Sequence, residues 1–170
     1  FFLENCGAYL AAIRSIGRTE EYFYMPVFES AAMIPPQTRR EALTEVRAQL
    51  DTVSGSILNI RVGGNALSHA FGLRRPANRT IYDLRPVADI LIDIVASFGT
   101  QYVVSGPVWE YYSGEGWEEG LRREMELDLL NGFTGKTVIH PNQIPVVNEM
   151  LRVSQRDYAD ARAILNWDTG

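Results

Sequence analysis

The stretch from Ser56 to Val62, SILNIRV, decides the fold class of this chain. It is short and rich in β-branched residues, and glycines bound it on both sides, at Gly55 and at Gly63-Gly64. Apolar residues that do not alternate strictly with polar ones are typical of a strand buried on both faces of a parallel sheet. The assignment of the remaining chain therefore starts from one buried parallel strand.

Helices and strands are predicted to alternate on both sides of this strand. Upstream, the apolar spacing predicts a helix through Leu10, Ile13 and Ile16, a strand over residues 22–28, and a helix capped by Thr38 that ends before Ser54. Downstream, it predicts a connection over 67–79 with a turn of helix, helices over 84–98, 117–130 and 143–165, and strands over 101–104 and 136–139. Parallel neighbours need a crossover, and a helix supplies it while covering the sheet. The chain is therefore predicted to be α/β.

The predicted sheet has unprotected outer strands. Nothing in the pattern supplies charged or proline-blocked edges for both of them, as an open four-stranded sheet would need. No repeat, low-complexity tract or linker divides the chain, so residues 1–170 are predicted to form a single domain. The chain opens Phe1-Phe2-Leu3 without an initiator methionine, and we expect sequence upstream of it. A half barrel that awaits its other half fits this pattern best.

Composition and charge exclude several classes of function. The net charge of -5 and the pI of about 5.1 provide no overall positive field, so we expect no nucleic-acid and no membrane-surface partner. The most apolar stretch, residues 87–98, contains Asp89 and Asp93 and is far shorter than the roughly 20 residues of a membrane-spanning helix. The lone Cys6 cannot form an internal disulfide, which makes a cytoplasmic location the simplest expectation.

Ligands of parallel α/β proteins collect at the carboxyl ends of the strands. In this chain the predicted strand ends carry Glu29, the Gly63-Gly64 pair, Ser105 and His140. Glu29 directly follows an apolar strand, where a carboxylate serves either as a metal ligand or as a capping or ion-paired residue. The two glycines let the backbone approach an anion closely, although a tight strand exit is their more common use. Taken alone, each of these segments favours an ordinary turn.

Three other motifs are discounted as the main site. Residues 132–137, GFTGKT, resemble part of a phosphate loop, but Leu130 stands where its first glycine is required and a strand follows, so Lys136 is expected at a strand end or the barrel bottom. Arg74, Arg75 and Arg79 could grip a phosphate, but arginines on a polar loop are more often solvated or paired with acids. His69 and His140 have no nucleophile motif beside them, so a hydrolase triad is unsupported.

Three segments together resemble the HpcH/HpaI aldolase and citrate lyase β-subunit superfamily. Residues 132–150, GFTGKTVIHPNQIPVVNEM, are similar to its final strand and helix. Residues 24–32, YMPVFESAA, match the strand that carries a metal-binding glutamate, with Glu29 in the ligand position. Residues 60–67, IRVGGNAL, match the next strand, where Ala66 replaces a second metal-binding aspartate. The RVGG, FGLRR and VSGPVWEY stretches resemble a divergent branch.

The resemblance implies a (β/α)8 TIM barrel of which this chain supplies roughly the last four β/α units. It also implies Mg²⁺ at Glu29 and cleavage or formation of a carbon–carbon bond in a 2-oxo acid or an acyl-CoA, with coenzyme A thioesters as possible substrates. The turn Gly64-Asn65-Ala66 would bind the substrate carboxylate, and Ser105 and His140 would line the pocket. An arginine that binds substrate oxygens would lie in the other half of the barrel, and members tend to form homo-oligomers.

Three functions follow as hypotheses. The leading one is an Mg²⁺-dependent lyase or aldolase in which Glu29 holds the ion, with no catalytic acid or base assigned. The alternative is a barrel that binds or scaffolds without catalysis, because an alanine at position 66 cannot ligate a cation. The third is a phosphate-binding barrel enzyme that uses Arg74, Arg75 and Arg79.

Overall fold

The helices and strands of this chain alternate along its length. The computed structural model describes residues 7, 8, 11, 12, 15 and 21–167. Its strands and α-helices after residue 20 are β1 Val27–Phe28, α1 Pro36–Asp51, β2 Ile60–Val62, α2 Gly64–Ala70, α3 Arg85–Phe98, β3 Val104–Gly106, α4 Trp117–Leu130, β4 Gly135–Lys136, α5 Gln143–Met150 and α6 Gln155–Leu165. The predicted helix through Leu10, Ile13 and Ile16 lies outside the described residues.

The four strands form one parallel sheet in the order β1-β2-β3-β4. Its register pairs Phe28 with Val62 and Arg61 with Ser105, and β4 continues the ladder beside β3. Neighbours in space are neighbours in the chain, and helices make the crossovers. This arrangement confirms the predicted α/β class and fits one part of a (β/α)8 barrel.

One face of the sheet packs against the helices and forms the main core. Phe28, Ile60 and Val104 are buried there against the apolar side of α3, and the rings of Phe28 and Phe98 lie 5.0 Å apart. The apolar spacing within residues 84–98 predicted a helix with an apolar face that includes Phe98, and Phe98 is completely buried. Burial of such a side chain contributes about 1.5–3 kcal/mol to folding.

The opposite face of the sheet is partly exposed. Successive strand residues point to opposite faces, so the residues that alternate with the core positions share this second face. Several of them are large and apolar and remain more than two-fifths exposed: Phe23, Met25, Val27 and Val103. In a closed (β/α)8 barrel this is the face that lines the interior. We call it the inner face of the sheet.

All four strands differ in their bounds from the prediction. The strands predicted over 22–28 and 56–62 are shorter, at Val27–Phe28 and Ile60–Val62, and the other two are displaced. The strand predicted over 101–104 is observed at Val104–Gly106, because the amide of Tyr102 still hydrogen-bonds to the Phe98 carbonyl in the turn after α3 (2.9 Å). The strand predicted over 136–139 is observed at Gly135–Lys136. It ends early because the Ile139 amide donates to the Gln143 side chain (2.9 Å) instead of to a strand.

Two helix predictions were also wrong in detail. The helix predicted over 143–165 is broken into α5 and α6, and Ser154 caps the second by accepting a hydrogen bond from the Asp157 amide (3.0 Å). Thr38 is not a cap, because α1 begins two residues earlier at Pro36. The Thr38 hydroxyl donates instead to the Ala32 carbonyl (2.9 Å). Within the part of the chain that the structure describes, no helix is long and apolar enough to cross a bilayer.

Candidate functional site

Glu29 and Gly63 lie side by side where β1 and β2 end. The Gly63 amide donates to the Phe28 carbonyl (3.0 Å), which brings the two strand ends together. A Cβ atom at Gly63 would overlap both the Cβ and the carboxylate Oε2 of Glu29, so the glutamate side chain rests against this glycine. Glu29 is exposed. The structure thus presents a solvent-accessible carboxylate directly beside the glycine turn.

The Gly64-Asn65-Ala66 segment forms the first turn of α2. The first amides of a helix have no intrahelical carbonyl to bind, so these groups can meet an incoming anion. Gly64 is buried and tightly packed, since a Cβ there would lie 2.7 Å from Pro107 Cβ. Asn65 has a buried side-chain oxygen without a hydrogen-bond partner, and Ala66 is exposed. The turn therefore lies at the same edge of the sheet as Glu29.

Ser105 belongs to a polar row on the inner face of the sheet. Its buried hydroxyl accepts a hydrogen bond from the Asn59 amide group (2.9 Å). Arg61 is the register partner of Ser105, and its Nε donates to the Thr137 hydroxyl (3.3 Å). Sequence reasoning missed Asn59, Arg61 and Thr137, although the alternation of β2 around buried Ile60 and Val62 would have placed Arg61 on the inner face.

His140 lies in the loop after β4. Its ring stacks on Tyr112 with centroids 4.2 Å apart and planes 7° from parallel. Its Nδ1 accepts a hydrogen bond from the Asn142 amide (3.2 Å), while the Asn142 side chain donates to the Tyr112 carbonyl (3.2 Å). These contacts join the loop after β4 to the loop after β3. The structure therefore gives His140 a loop-anchoring role and does not join it to Glu29.

A buried ionic network lies on the helix side of the sheet. Lys136 Nζ is 2.8 Å from Glu124 and 2.7 Å from Asp128, and the lysine side chain is fully buried. Glu124 also pairs with Arg75, and the Tyr82 hydroxyl donates to Asp128 (2.7 Å). Burial raises the pKa of the Asp128 carboxyl, while the charge of Lys136 acts in the opposite sense. Burial and the neighbouring Asp128 raise the pKa of the Tyr82 phenol.

This network agrees with the favoured interpretation of the arginine cluster, in which arginines are paired with acids, and argues against the phosphate clamp. Arg75 is buried, pairs with Glu124, donates to the Val108 carbonyl (2.8 Å) and lies over the Trp109 ring. It is therefore a structural residue and cannot serve as an exposed phosphate clamp. Arg79 faces solvent beside Asp83. The (i, i+4) pair of acids at 124 and 128 on a buried helix face was the sequence signal for this network, and it was not used.

The donor set at the strand ends restricts which metal could bind. The described ranges contain no cluster of three or more His, Cys, Asp or Glu side chains that could enclose an ion. Mg²⁺ needs only one or two protein carboxylates, because water and substrate oxygens complete its octahedron. Glu29 supplies one such carboxylate, and the partnerless Asn65 oxygen is a hard donor of the same kind at the neighbouring turn. These residues fit a Mg²⁺ site with a single protein carboxylate.

A parallel sheet with helical crossovers and polar groups at the carboxyl ends of its strands fits one part of a (β/α)8 barrel. The model of the family described as the C-C bond lyase of the TIM-barrel fold matches residues 1–170. The chain belongs to that family. This result confirms the predicted relationship to the citrate lyase β-subunit superfamily and the predicted barrel class.

The chain is similar to several known proteins. It is 36% identical over 74 residues to the L-malyl-CoA/beta-methylmalyl-CoA lyase of Cereibacter sphaeroides (strain ATCC 17025 / ATH 2.4.3), a match that covers 42% of the chain and 22% of that lyase. RipC from Yersinia pestis shares the fold with a TM-score of 0.57 and 14% identity over 89% of the chain and 61% of RipC. CitE from Mycobacterium tuberculosis, solved with magnesium, acetoacetate and coenzyme A, gives a TM-score of 0.46 and 26% identity over 67% of the chain and 42% of CitE. Each match spans less than two thirds of the other protein.

Proposed function

We propose that this protein is a Mg²⁺-dependent carbon–carbon bond lyase that acts on a 2-oxo acid or an acyl-CoA thioester. The observation that carries the proposal is the exposed Glu29 carboxylate against Gly63 at the strand ends, in a chain of the C-C bond lyase family. The partial match to a malyl-CoA lyase supports a coenzyme A thioester as the substrate class. The match covers 22% of that lyase, so the proposed substrate class is inferred from the shared segment alone.

The residues of this chain would divide the work of binding. Glu29 would hold the ion, and the amides of Gly64, Asn65 and Ala66 would receive the substrate carboxylate at the start of α2. Ser105 and His140 would line the pocket. When bound, Mg²⁺ would supply Lewis-acid stabilisation of the negative charge that develops beside the bond being broken or formed.

The test compares Mg²⁺ binding and turnover in the intact protein and two variants. Glu29→Gln keeps the shape of the side chain and removes its charge, so Mg²⁺ affinity measured by calorimetry should fall at least about tenfold and malyl-CoA cleavage should be lost. Glu41→Gln, at an exposed position of α1, is the matched control and should change neither quantity. Unchanged Mg²⁺ affinity in Glu29→Gln would rule out the proposed metal ligand.

A second candidate function is favoured by Ala66. An alanine in the second ligand position leaves the ion with one protein carboxylate, which suits a barrel that binds a small acid without catalysis. Ala66→Asp should be tolerated, because position 66 is exposed and an acid in the first turn of a helix is favourable. Turnover that appears only in Ala66→Asp would support the binding protein, whereas turnover in the natural chain supports the lyase.

Three further properties belong to the proposal. We propose that residues 1–170 act as one structural unit of the barrel, that the protein forms homo-oligomers and that it works in the cytoplasm. Sedimentation of the intact protein tests its oligomeric state, and a single cooperative unfolding transition tests the single unit.

A further inference from the structure

Arg61 occupies an unusual position on the inner face of the sheet. It lies in the middle of β2, between its register partners Val27 of β1 and Ser105 of β3. Its side chain is half-buried, and its Nε donates to the Thr137 hydroxyl at 3.3 Å, which is a long hydrogen bond. The guanidinium group thus points along the inner face toward β4.

No carboxylate within the described residues lies within 4 Å of the Arg61 guanidinium. Other arginines of low or moderate exposure do have acidic partners: Arg39 with Asp93, Arg75 with Glu124, and Arg122 with Glu118 and Glu149. Withdrawing a guanidinium from water without a counter-ion is unfavourable, and an arginine on the interior face of a barrel is withdrawn from water. Among the residues that the structure describes, Arg61 therefore lacks an anionic partner.

The neighbours of Arg61 are also hydrogen-bond donors. The Ser105 hydroxyl accepts from Asn59, and the Thr137 hydroxyl accepts from Arg61 itself. Each hydroxyl therefore keeps its own proton for a further acceptor. The buried side-chain oxygen of Asn59 has no partner and can accept from a ligand hydroxyl. The planar guanidinium fork matches a carboxylate in a bidentate manner.

We propose that Arg61, Ser105 and Thr137 form a subsite that binds a carboxylate group of the substrate on the inner face of the barrel. The subsite lies two residues before Gly63, which is about 6.6 Å along the strand from the turn that contacts Glu29. This assignment rests on the proposed function, because it gives a substrate class to the same site at the carboxyl ends of the strands. The reacting acid or acyl group carries a second, free carboxylate at the end remote from Glu29.

The experiment measures binding of succinate to the intact protein in EDTA, by calorimetry. Removing divalent ions separates this subsite from the metal site, and succinamide is the uncharged comparison ligand. Succinate should bind to the natural protein and succinamide should not. Arg61→Gln should lower the affinity for succinate at least about tenfold. Arg40→Gln, at an exposed position of α1, is the matched control and should bind like the natural protein. Thr137→Val removes one donor with little change of shape and should weaken binding several-fold.

Each outcome has a defined meaning. Equal succinate affinity in Arg61→Gln and the natural protein overturns the proposal, as does absence of succinate binding to the natural protein. If Arg61→Gln fails to fold, the Thr137→Val variant decides, and unchanged affinity in it overturns the proposal. Glu29→Gln should still bind succinate in EDTA. A natural protein that binds succinate in EDTA but does not bind Mg²⁺ would therefore refute the lyase function and still support the Arg61 subsite.

Discussion

Replacing Lys136 by methionine should destabilise the folded protein by about 3–5 kcal/mol at neutral pH, because it breaks a buried ion pair and leaves uncompensated charge. The lysine nitrogen lies 2.8 Å from Glu124 and 2.7 Å from Asp128, and the three side chains are 0%, 0% and 3% exposed. Methionine keeps the length of the side chain and removes its charge. Arg75 would still compensate Glu124, so most of the loss falls on Asp128.

The loss should depend on pH in a defined direction. Burial raises the folded-state pKa of Asp128, and Lys136 is the largest factor that lowers it. A raised pKa in the folded state contributes stability below the unfolded-state pKa, and that contribution is lost as pH rises through the folded-state pKa. Removing Lys136 raises this pKa further. The deficit of the variant should therefore be largest at neutral pH and shrink as pH falls toward about 4.

The assay is urea unfolding of the intact protein followed by circular dichroism. With a slope of about 2 kcal/mol per molar urea, the expected loss moves the midpoint by about 1.5–2.5 M. Arg85→Met is the control, since its pair with Asp89 is 85% and 54% exposed and should contribute under about 1 kcal/mol. Adding Asp128→Asn to Lys136→Met should recover part of the loss. A midpoint shift below about 0.5 M at neutral pH, or one that is the same at neutral pH and at about pH 4, would refute the reasoning.

Two further predictions follow from single contacts. Gly63→Ala should weaken Mg²⁺ binding and also lower the melting temperature, because the new Cβ would overlap the Glu29 Cβ, which only a shift of the backbone at the end of β1 can relieve. Calorimetry with Mg²⁺ and thermal unfolding check this, and unchanged Mg²⁺ affinity would show that Glu29 is not held there for a metal. Tyr82→Phe removes the hydroxyl that donates to Asp128 and should lower stability by about 1–3 kcal/mol at pH 7. The loss should diminish at low pH because the phenol helps to lower the Asp128 pKa, and equal losses at both pH values would contradict that role.

The alternation of helices and strands was predictable because it depends on local periodicity. Helix α3 was predicted almost to the residue, since its apolar positions repeat at helical spacing and Gly99 follows its end. Helix α4 was predicted at its observed bounds between Gly116 and Asn131. The short strands β3 and β4 were displaced. Their glycine and serine residues have low strand propensity and belong to the sheet because of packing, as at Gly106 against Asp128.

The candidate site was predicted only where it follows from a strand end. Glu29 and the glycine turn could be found because each directly follows an apolar run, and their adjacency is a consequence of parallel pairing. The alternation of β2 could have placed Arg61 on the inner face, but the contacts of Arg61 with Thr137 and of Asn59 with Ser105 could not be found, because they join segments that are far apart in sequence. Hydrogen-bond partners across strands depend on register, which a single sequence does not specify.

The sequence by itself determined the class of this protein, because a parallel sheet needs crossovers and buried apolar strands that leave a periodic pattern. It also indicated Glu29 as a carboxylate at a strand end and Ala66 at the matching position of the next turn. Only the tertiary structure decided which charged residues have partners. It buried Arg75 and Lys136 among acids on the helix side and gave Arg61 no acidic partner among the described residues, since ion pairing depends on three-dimensional proximity between distant segments.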